Sequence, residues 1–426
     1  MKTNAYVGKF SYGFRLASMI LLAAFLSISA FSANKSDGTT RFEGVITDSK
    51  SKEALAFTNV IVAGTNIATV CNSDGEFTLK VPNEHLDKNV MFSHIGYQTA
   101  TVPLRELKTN EINKITLNMT SVSLVEVNVF PSDPERIVRD MMRQRDHNYS
   151  DFANTKTAFY RETIKKGRNY VSLTEAVLDI FKFPYSAMRD DRVKLILGRK
   201  SADYEKLDTL VFKLQGGPVS AVMLDIMKEP YALFDNESIY DYTFELSNIT
   251  KVDDRLLYII DFKQRESVDK PLFFGKLYVD MESLALTRAE FNMDVSNREE
   301  ATALFIRRKP SGARVYPTEA SYIVDYRITD GKWHYGYARA SVAFRVNWKK
   351  KLLNTNYYTT MEMAVTDWKI AEDQAFKASE RLKPTIIMED AVEGFNDPDF
   401  WGDYNVIEPE QPIENAIKRI QRNLDK

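Results

Sequence analysis

The 426-residue sequence predicts a mainly β protein: a small N-terminal β-sandwich, immunoglobulin-like or transthyretin-like, followed by one large curved antiparallel sheet or half-barrel with a few helices. Three observations predict it. About seven short extended segments crowd into residues 41–120 between Gly-, Asn- and Asp-bearing turns. Longer extended segments fill residues 155–370, joined by turn signals such as Asp253-Asp254 and Asp330-Gly331. The composition, 44% hydrophobic and 12% aromatic with 14 Pro and 17 Gly, is that of a packed chain rather than a low-complexity one.

The first element is an address. Lys2, Lys9 and Arg15 precede the uncharged apolar run 16–31, LASMILLAAFLSISAF. A basic stretch followed by a short apolar run has the form of a secretory signal, so residues 1–32 read as a signal peptide, with an uncleaved membrane anchor as the alternative. Cleavage is expected after Ser32, with Ala30 or Ala33 as alternatives. The chain is then exported, to the periplasm or the outer membrane. No Cys near the cleavage region could carry a lipid, and no later run is apolar enough to span a bilayer. Losing the three cations of the signal takes the net charge from −2 to −5. That balance excludes a nucleic-acid binder, which needs a concentrated cationic face.

Residues 41–120 alternate as a small sandwich should. Val60 and Val62 face away from Asn59 and Ile61; Phe77, Leu79 and Val81 face away from Glu76, Thr78 and Lys80. Asn72-Ser73-Asp74-Gly75 is a tight turn between strands. The motifs Gly44-Val45-Ile46-Thr47-Asp48, Ala56-Phe57-Thr58-Asn59-Val60, Gly64-Thr65, Asp74-Gly75-Glu76-Phe77 and Phe92-Ser93-His94-Ile95-Gly96-Tyr97 follow in order. This stretch resembles the carboxypeptidase-like regulatory domain, a module at the N-terminus of many TonB-dependent receptors and other Gram-negative envelope proteins. The resemblance implies an accessory β module and no peptidase chemistry. Cys71 and His94 fall inside it, and both are expected to pack rather than react.

Residues 121–151 form a bridge. Val125, Val127 and Val129 alternate as a strand, similar to the segment that follows this module in the receptors. A helix opens at Pro134 with Asp133 as its cap. Ile137, Val138, Met141 and Met142 make its apolar stripe, and Arg136, Arg139, Arg143 and Arg145 its wet side. A solvated face is the expectation there, with a surface for anionic lipid as the sharper alternative.

Residues 152–371 supply the large antiparallel domain, with a helix at residues 218–228 able to cover one face. Its patterns FYRE, LTEAVLDIFKFPY and GKLYVDMESLALTRAEF are similar to those of uncharacterised envelope proteins carrying the same module. The strands around residues 256–262 and 275–291 also resemble those of lipoprotein-carrier folds, whose half-barrels hold acyl chains. Tyr258, Ile260 and Phe262, on a strand apolar on both faces, are the candidate ligand contacts. In residues 372–426, Phe400, Trp401 and Tyr404 read as a clamp or partner-binding tail. Ile413, Ala416, Ile417, Ile420 and Leu424 then stripe a terminal helix.

The chemistry is sparse. One Cys and four His (His85, His94, His147, His334) leave little for a metal site or a nucleophile–base pair. No phosphate-cradling or nucleophile-elbow motif is present. The carboxylate pairs Asp190-Asp191, Asp253-Asp254 and Glu299-Glu300 read as solvated turns, not as hydrolase machinery. No catalytic residue, metal or cofactor is therefore expected. The expected function is a non-catalytic envelope protein binding a partner protein or glycan at the outer membrane. A carrier of lipid or another apolar ligand is the alternative, and a hydrolase the third reading.

Overall fold

The computed structural model describes residues 38–120, 133–202, 216–229, 233–235, 237–305, 312–349, 354–371, 375–394, 400–410, 413 and 415. The expected signal peptide, the expected strand through Val125, Val127 and Val129, and all but the first residue of the expected terminal stripe lie outside them.

Seven strands build the N-terminal sandwich: β1 Thr39–Asp48, β2 Asn59–Val62, β3 Ala68–Val70, β4 Glu76–Pro82, β5 Asn89–Ser93, β6 Ala100–Pro103 and β7 Ile112–Leu117. They pair as two sheets, β4-β1-β7 and β3-β2-β5-β6. Ile46, Val60, Val62, Phe77, Leu79, Val81, Val90 and Phe92 are buried between them, as period-2 alternation requires. Gly75, at φ +75, turns the Asn72–Gly75 hairpin where a side chain would be strained. Thr78 departs from the alternation. It is buried although it faces away from the core, because the C-terminal tail covers it.

The bridge helix α1, Pro134–Arg143, is capped by the Asp133 carboxylate, which accepts from the Arg136 amide at 3.0 Å. Ile137, Val138 and Met141 are buried. On the wet side Arg139 pairs with Glu135 at 2.8 Å and Arg143 with Asp140 at 2.6 Å, so acids offset much of the basic stripe. A short α2, Arg145–Asn148, follows.

The large sheet has the order β11-β12-β13-β14-β15-β16-β17-β8-β9-β10-β18. Its strands are β8 Asn154–Lys166, β9 Asn169–Lys182, β10 Arg192–Ala202, β11 Tyr242–Val252, β12 Arg255–Gln264, β13 Phe273–Asp280, β14 Leu286–Met293, β15 Ala313–Thr329, β16 Lys332–Trp348, β17 Thr355–Ile370 and β18 Glu393–Gly394. Ten are antiparallel; the two-residue β18 adds parallel to β10. The sheet stays open, with β11 and β18 at its edges. The chain enters in the middle at β8, leaves through β10, crosses to the far edge, and meanders back until β17 pairs with β8.

That crossover fills one face. Helix α3, Gly217–Val222, and the turns after it bury Val222, Ile226, Met227, Leu233 and Phe234 against Tyr160, Leu178, Ile260 and Val324. The helix expected over residues 218–228 stops at Val222. Beyond it Asp225, completely buried, turns its carboxylate into the sheet to meet Lys182 at 2.7 Å, and the amides of Lys228 and Glu229 close on the Asp225 carbonyl. A buried charge needs its partner more than this segment needs another helical turn. Helices α4, Arg298–Phe305, and α5, Met388–Ala391, complete the fold. Among the described residues no helix is long and apolar enough to cross a membrane.

Candidate functional site

The opposite face of the large sheet carries the sandwich and the tail, and strand register organises it into rows. In one row Tyr337, Ala364, Phe159 and Val177 stand side by side on β16, β17, β8 and β9. This apolar row receives Phe57 and Val70 from the sandwich and Trp401, Val406 and Ile407 from the tail. Phe57 stacks on Tyr337 with ring centroids 5.8 Å apart, and holds φ +59 to do so. The left-handed region is a costly place for a bulky side chain.

The next row is ionic. Arg339, Glu362, Arg161, Glu175 and Arg199 occupy successive register positions on β16, β17, β8, β9 and β10. Each contacts its neighbours: Arg339–Glu362 2.8 Å, Arg161–Glu362 3.2 Å, Arg161–Glu175 2.7 Å and Arg199–Glu175 2.9 Å. Burial alone would raise the Glu175 carboxyl and lower the Arg161 guanidinium, but their mutual attraction reverses both shifts. The tail lies over this ladder. Arg161 donates to the Ile407 carbonyl at 2.7 Å, and the Arg199 guanidinium sits 4.7 Å from the Trp401 ring centre.

The tail also grips the sandwich. Asn405 accepts from the Lys80 amide at 2.7 Å and donates to the Lys80 carbonyl at 2.9 Å, so one side chain satisfies the edge of β4. Thr69 donates to the Val406 carbonyl and Ser73 to the Glu410 carboxylate. Residues 400–410 are thus a strap across both β units. Trp401 meets Phe159 edge-on at 5.5 Å, and Phe400 and Tyr404 pack on the same cluster.

At the other end of the contact, the Asp253 carboxylate accepts from the hydroxyls of Ser93 and Thr99. This turn was expected to be solvated; it is a docking contact, while Asp254 stays exposed beside Lys251. Asp191 likewise leaves its expected solvent and is buried against Lys182 at 2.6 Å.

Between these ties lies a cleft of about 520 Å³. Asn59, Ile61, Met91 and His94 line its sandwich wall; Arg255, Arg288, Asp325 and Trp333 line its sheet wall. The Asn59 Oδ1 atom is buried without a hydrogen-bond partner. Arg288 and Asp325 pair at 2.6 Å; burial still pushes the Asp325 carboxyl up to about 6 against the pull of Arg288. His94 Nδ1 lies 3.1 Å from the Thr58 hydroxyl, and its ring meets Tyr97 edge-on at 5.3 Å. Burial first, then the Arg288 charge, lowers the imidazole to about 4.

His94 is therefore neutral in the fold where the unfolded chain would bind a proton, so stability is lost as pH falls from about 6.5 towards 4. His94→Phe removes that titration and is expected to lose less stability over this range. Urea midpoints at pH 7 and pH 4.5 check it; an equal fall in both proteins would contradict it.

The remaining sequence candidates sit elsewhere. Ile260 and Phe262 are buried in the core on the crossover face, with Phe262 5.2 Å from Phe234 and 5.7 Å from Tyr242; Tyr258 packs at its margin. The Cys71 thiol is fully buried, donates to the Leu55 carbonyl at 3.0 Å, and is pushed up to about 12 by desolvation. The His334 ring stacks on Trp368 at 4.4 Å. Among the described residues no group of three or more His, Cys, Asp or Glu is placed to hold a metal ion. The ionic ladder was missed: Arg161 and Glu175 are a readable hairpin pair, but Glu362 reaches them only through the closing β17–β8 pairing.

The fold is a small β-sandwich module docked on a larger domain built around an open antiparallel sheet. Residues 42–129 match the family model of the CarboxypepD_reg-like domain, and the chain carries that module. Among curated proteins none matches. Solved structures similar to the chain include a DUF1329 family protein from Desulfovibrio piger, with 12% identity over 58% of this chain and 99% of that one. A domain assigned to the outer membrane lipoprotein-sorting proteins, from Vibrio parahaemolyticus, shares 9% identity over 58% and 94%. Lipovitellin, in a structure of its lipid–protein interactions, shares 9% over 53% and 26%. Each has a TM-score of 0.24, so these likenesses carry no functional weight.

Proposed function

We propose that the chain is an exported, non-catalytic component of the cell envelope that holds a partner protein at the outer membrane, with the sandwich as docking module and the cleft as binding site. The observation that supports this most directly is the cleft itself. Two β units are tied together at Asp253 and along the strap, and the space left between them is more apolar than polar, with an unpartnered amide oxygen at Asn59. Cavities of this size at the junction of two units, apolar with a few fixed polar groups, suit ligand or partner segments. The neutral, hydrogen-bonded His94 and the sealed thiol of Cys71 fit binding better than turnover. A lipid carrier would need an open apolar face, and the crossover occupies the face on which Ile260 and Phe262 lie.

A photo-crosslinking residue placed at Met91 in living cells tests this, with one at the half-buried Thr302 of α4, away from the cleft, as control. A discrete adduct to one envelope protein from Met91, absent from Thr302 and lost when Ile61→Arg blocks the cleft, is the expected result. No adduct, or the same adduct from both positions, refutes the reading. A stoichiometric apolar ligand on the purified protein in native mass spectrometry would promote the carrier instead.

A further inference from the structure

Beside the ionic ladder runs a third row. Ser321, Ser341, Thr360 and Thr163 stand at successive register positions on β15, β16, β17 and β8. They form a straight line of hydroxyls at the inter-strand spacing of about 4.8 Å. The row floors a pocket of about 360 Å³, separate from the cleft. On one side stand Arg339, Glu362 and Arg161 of the ladder. On the other stand Lys165 and two tyrosines, Tyr170 with the Lys165 ammonium 5.0 Å from its ring centre, and Tyr358, 40% exposed. The tail and sandwich close one end through Glu410, which accepts from Ser73 at 2.6 Å and from the Tyr170 hydroxyl at 3.3 Å.

The lining decides the ligand class. Three cations, Arg161, Lys165 and Arg339, face three carboxylates, Glu319, Glu362 and Glu410. A phosphate or a polyanion gains nothing from such a balanced set. Apolar side chains are few, so an apolar peptide or acyl chain has little to bury. What the pocket offers is a regular row of groups that both donate and accept, flanked by planar charged groups and an exposed aromatic face. We infer that this pocket binds a neutral glycan strand, lying across the β-strands so that successive sugar hydroxyls meet successive hydroxyls of the row while Tyr358 stacks on a ring face. Each sugar hydroxyl then exchanges water for a partner of the same kind, and the adjacent guanidinium and carboxylate groups fix its orientation.

Affinity electrophoresis of the full chain in gels containing dextran, soluble β-glucan or soluble mannan, all uncharged, tests this. Retardation by at least one of them is expected. Tyr358→Ala, at an exposed position, should weaken it several-fold, and Ser341→Leu with Thr360→Leu, which fills the row, more than tenfold. Ser341→Ala with Thr360→Ala guards against misfolding of the leucine variant and should weaken binding as well. No retardation by any of the polysaccharides, or retardation unchanged in the tyrosine and alanine variants, overturns the proposal. Ile61→Arg in the cleft should leave glycan binding unchanged, so this test and that of the cleft fail separately.

Discussion

Lys182→Met should lower the stability of the protein by about 4 kcal/mol, the largest single-residue loss expected anywhere in the sheet. The amine is almost wholly buried and bridges Asp191 at 2.6 Å and Asp225 at 2.7 Å. Burial alone would pull the ammonium down, but the two carboxylates hold it above its usual value. Met occupies similar space and leaves two buried carboxylates with no cation between them. Asp225 would keep the hydroxyls of Tyr185 and Tyr326, at 2.7 and 2.8 Å, which orient it without neutralising it. The sign of the pH dependence follows. In the variant the folded state favours protonated carboxyls more than the unfolded chain does, so the deficit should shrink at pH 4 and be fullest at pH 8. Urea midpoints at the two pH values check this. A loss below about 1 kcal/mol at pH 8 would show that the crossover relaxes to admit water.

The Lys182 site also shows where reading a sequence reaches its limit. Both β units were legible because period-2 alternation and turn residues are local: Val60 and Val62 inward, Asp330-Gly331 at the tip of β15 and β16, both at positive φ. The N-cap at Asp133 was legible for the same reason, since the Arg136 amide it accepts from lies three residues on. Partners far along the chain were not. Lys182 lies 43 positions before Asp225, on the far side of a helix that was expected to run straight through it. Asp253 looked like any acidic turn until the hydroxyls of Ser93 and Thr99 approached from another unit. Ile260 and Phe262 show the converse: a strand apolar on both faces fits a ligand cavity and a packed core equally well until the occupant of its face is known.

The same long-range pairing sets the second large effect. Arg161→Met should cost about 3 kcal/mol and loosen the strap. The loss is smaller than at Lys182 because Glu175 keeps Arg199 and Glu362 keeps Arg339. What disappears is the centre of the ladder, together with the donors to the Ile407 carbonyl at 2.7 Å and the Glu408 carbonyl at 3.4 Å. Those bonds join the tail to the sheet at the point where Thr69 and Asn405 join it to the sandwich. The variant is therefore expected to show two signatures: a lower urea midpoint, and faster protease cleavage within residues 400–410 under conditions where the sandwich stays intact. Combining Arg161→Met with Glu362→Gln tests whether the ladder acts as a unit. If the pair is coupled, the double variant should be less damaged than the sum of the two single changes. A lower midpoint with unchanged cleavage of the strap would mean that Trp401 and Ile407 hold it by packing alone and that the ladder serves only the sheet. Because Arg161 and Glu362 also wall the hydroxyl row, glycan retardation of Arg161→Met separates the two roles. Retardation restored by the double variant along with stability would place the effect in the fold. Retardation still lost once stability is restored would place the Arg161–Glu362 pair in contact with the sugar.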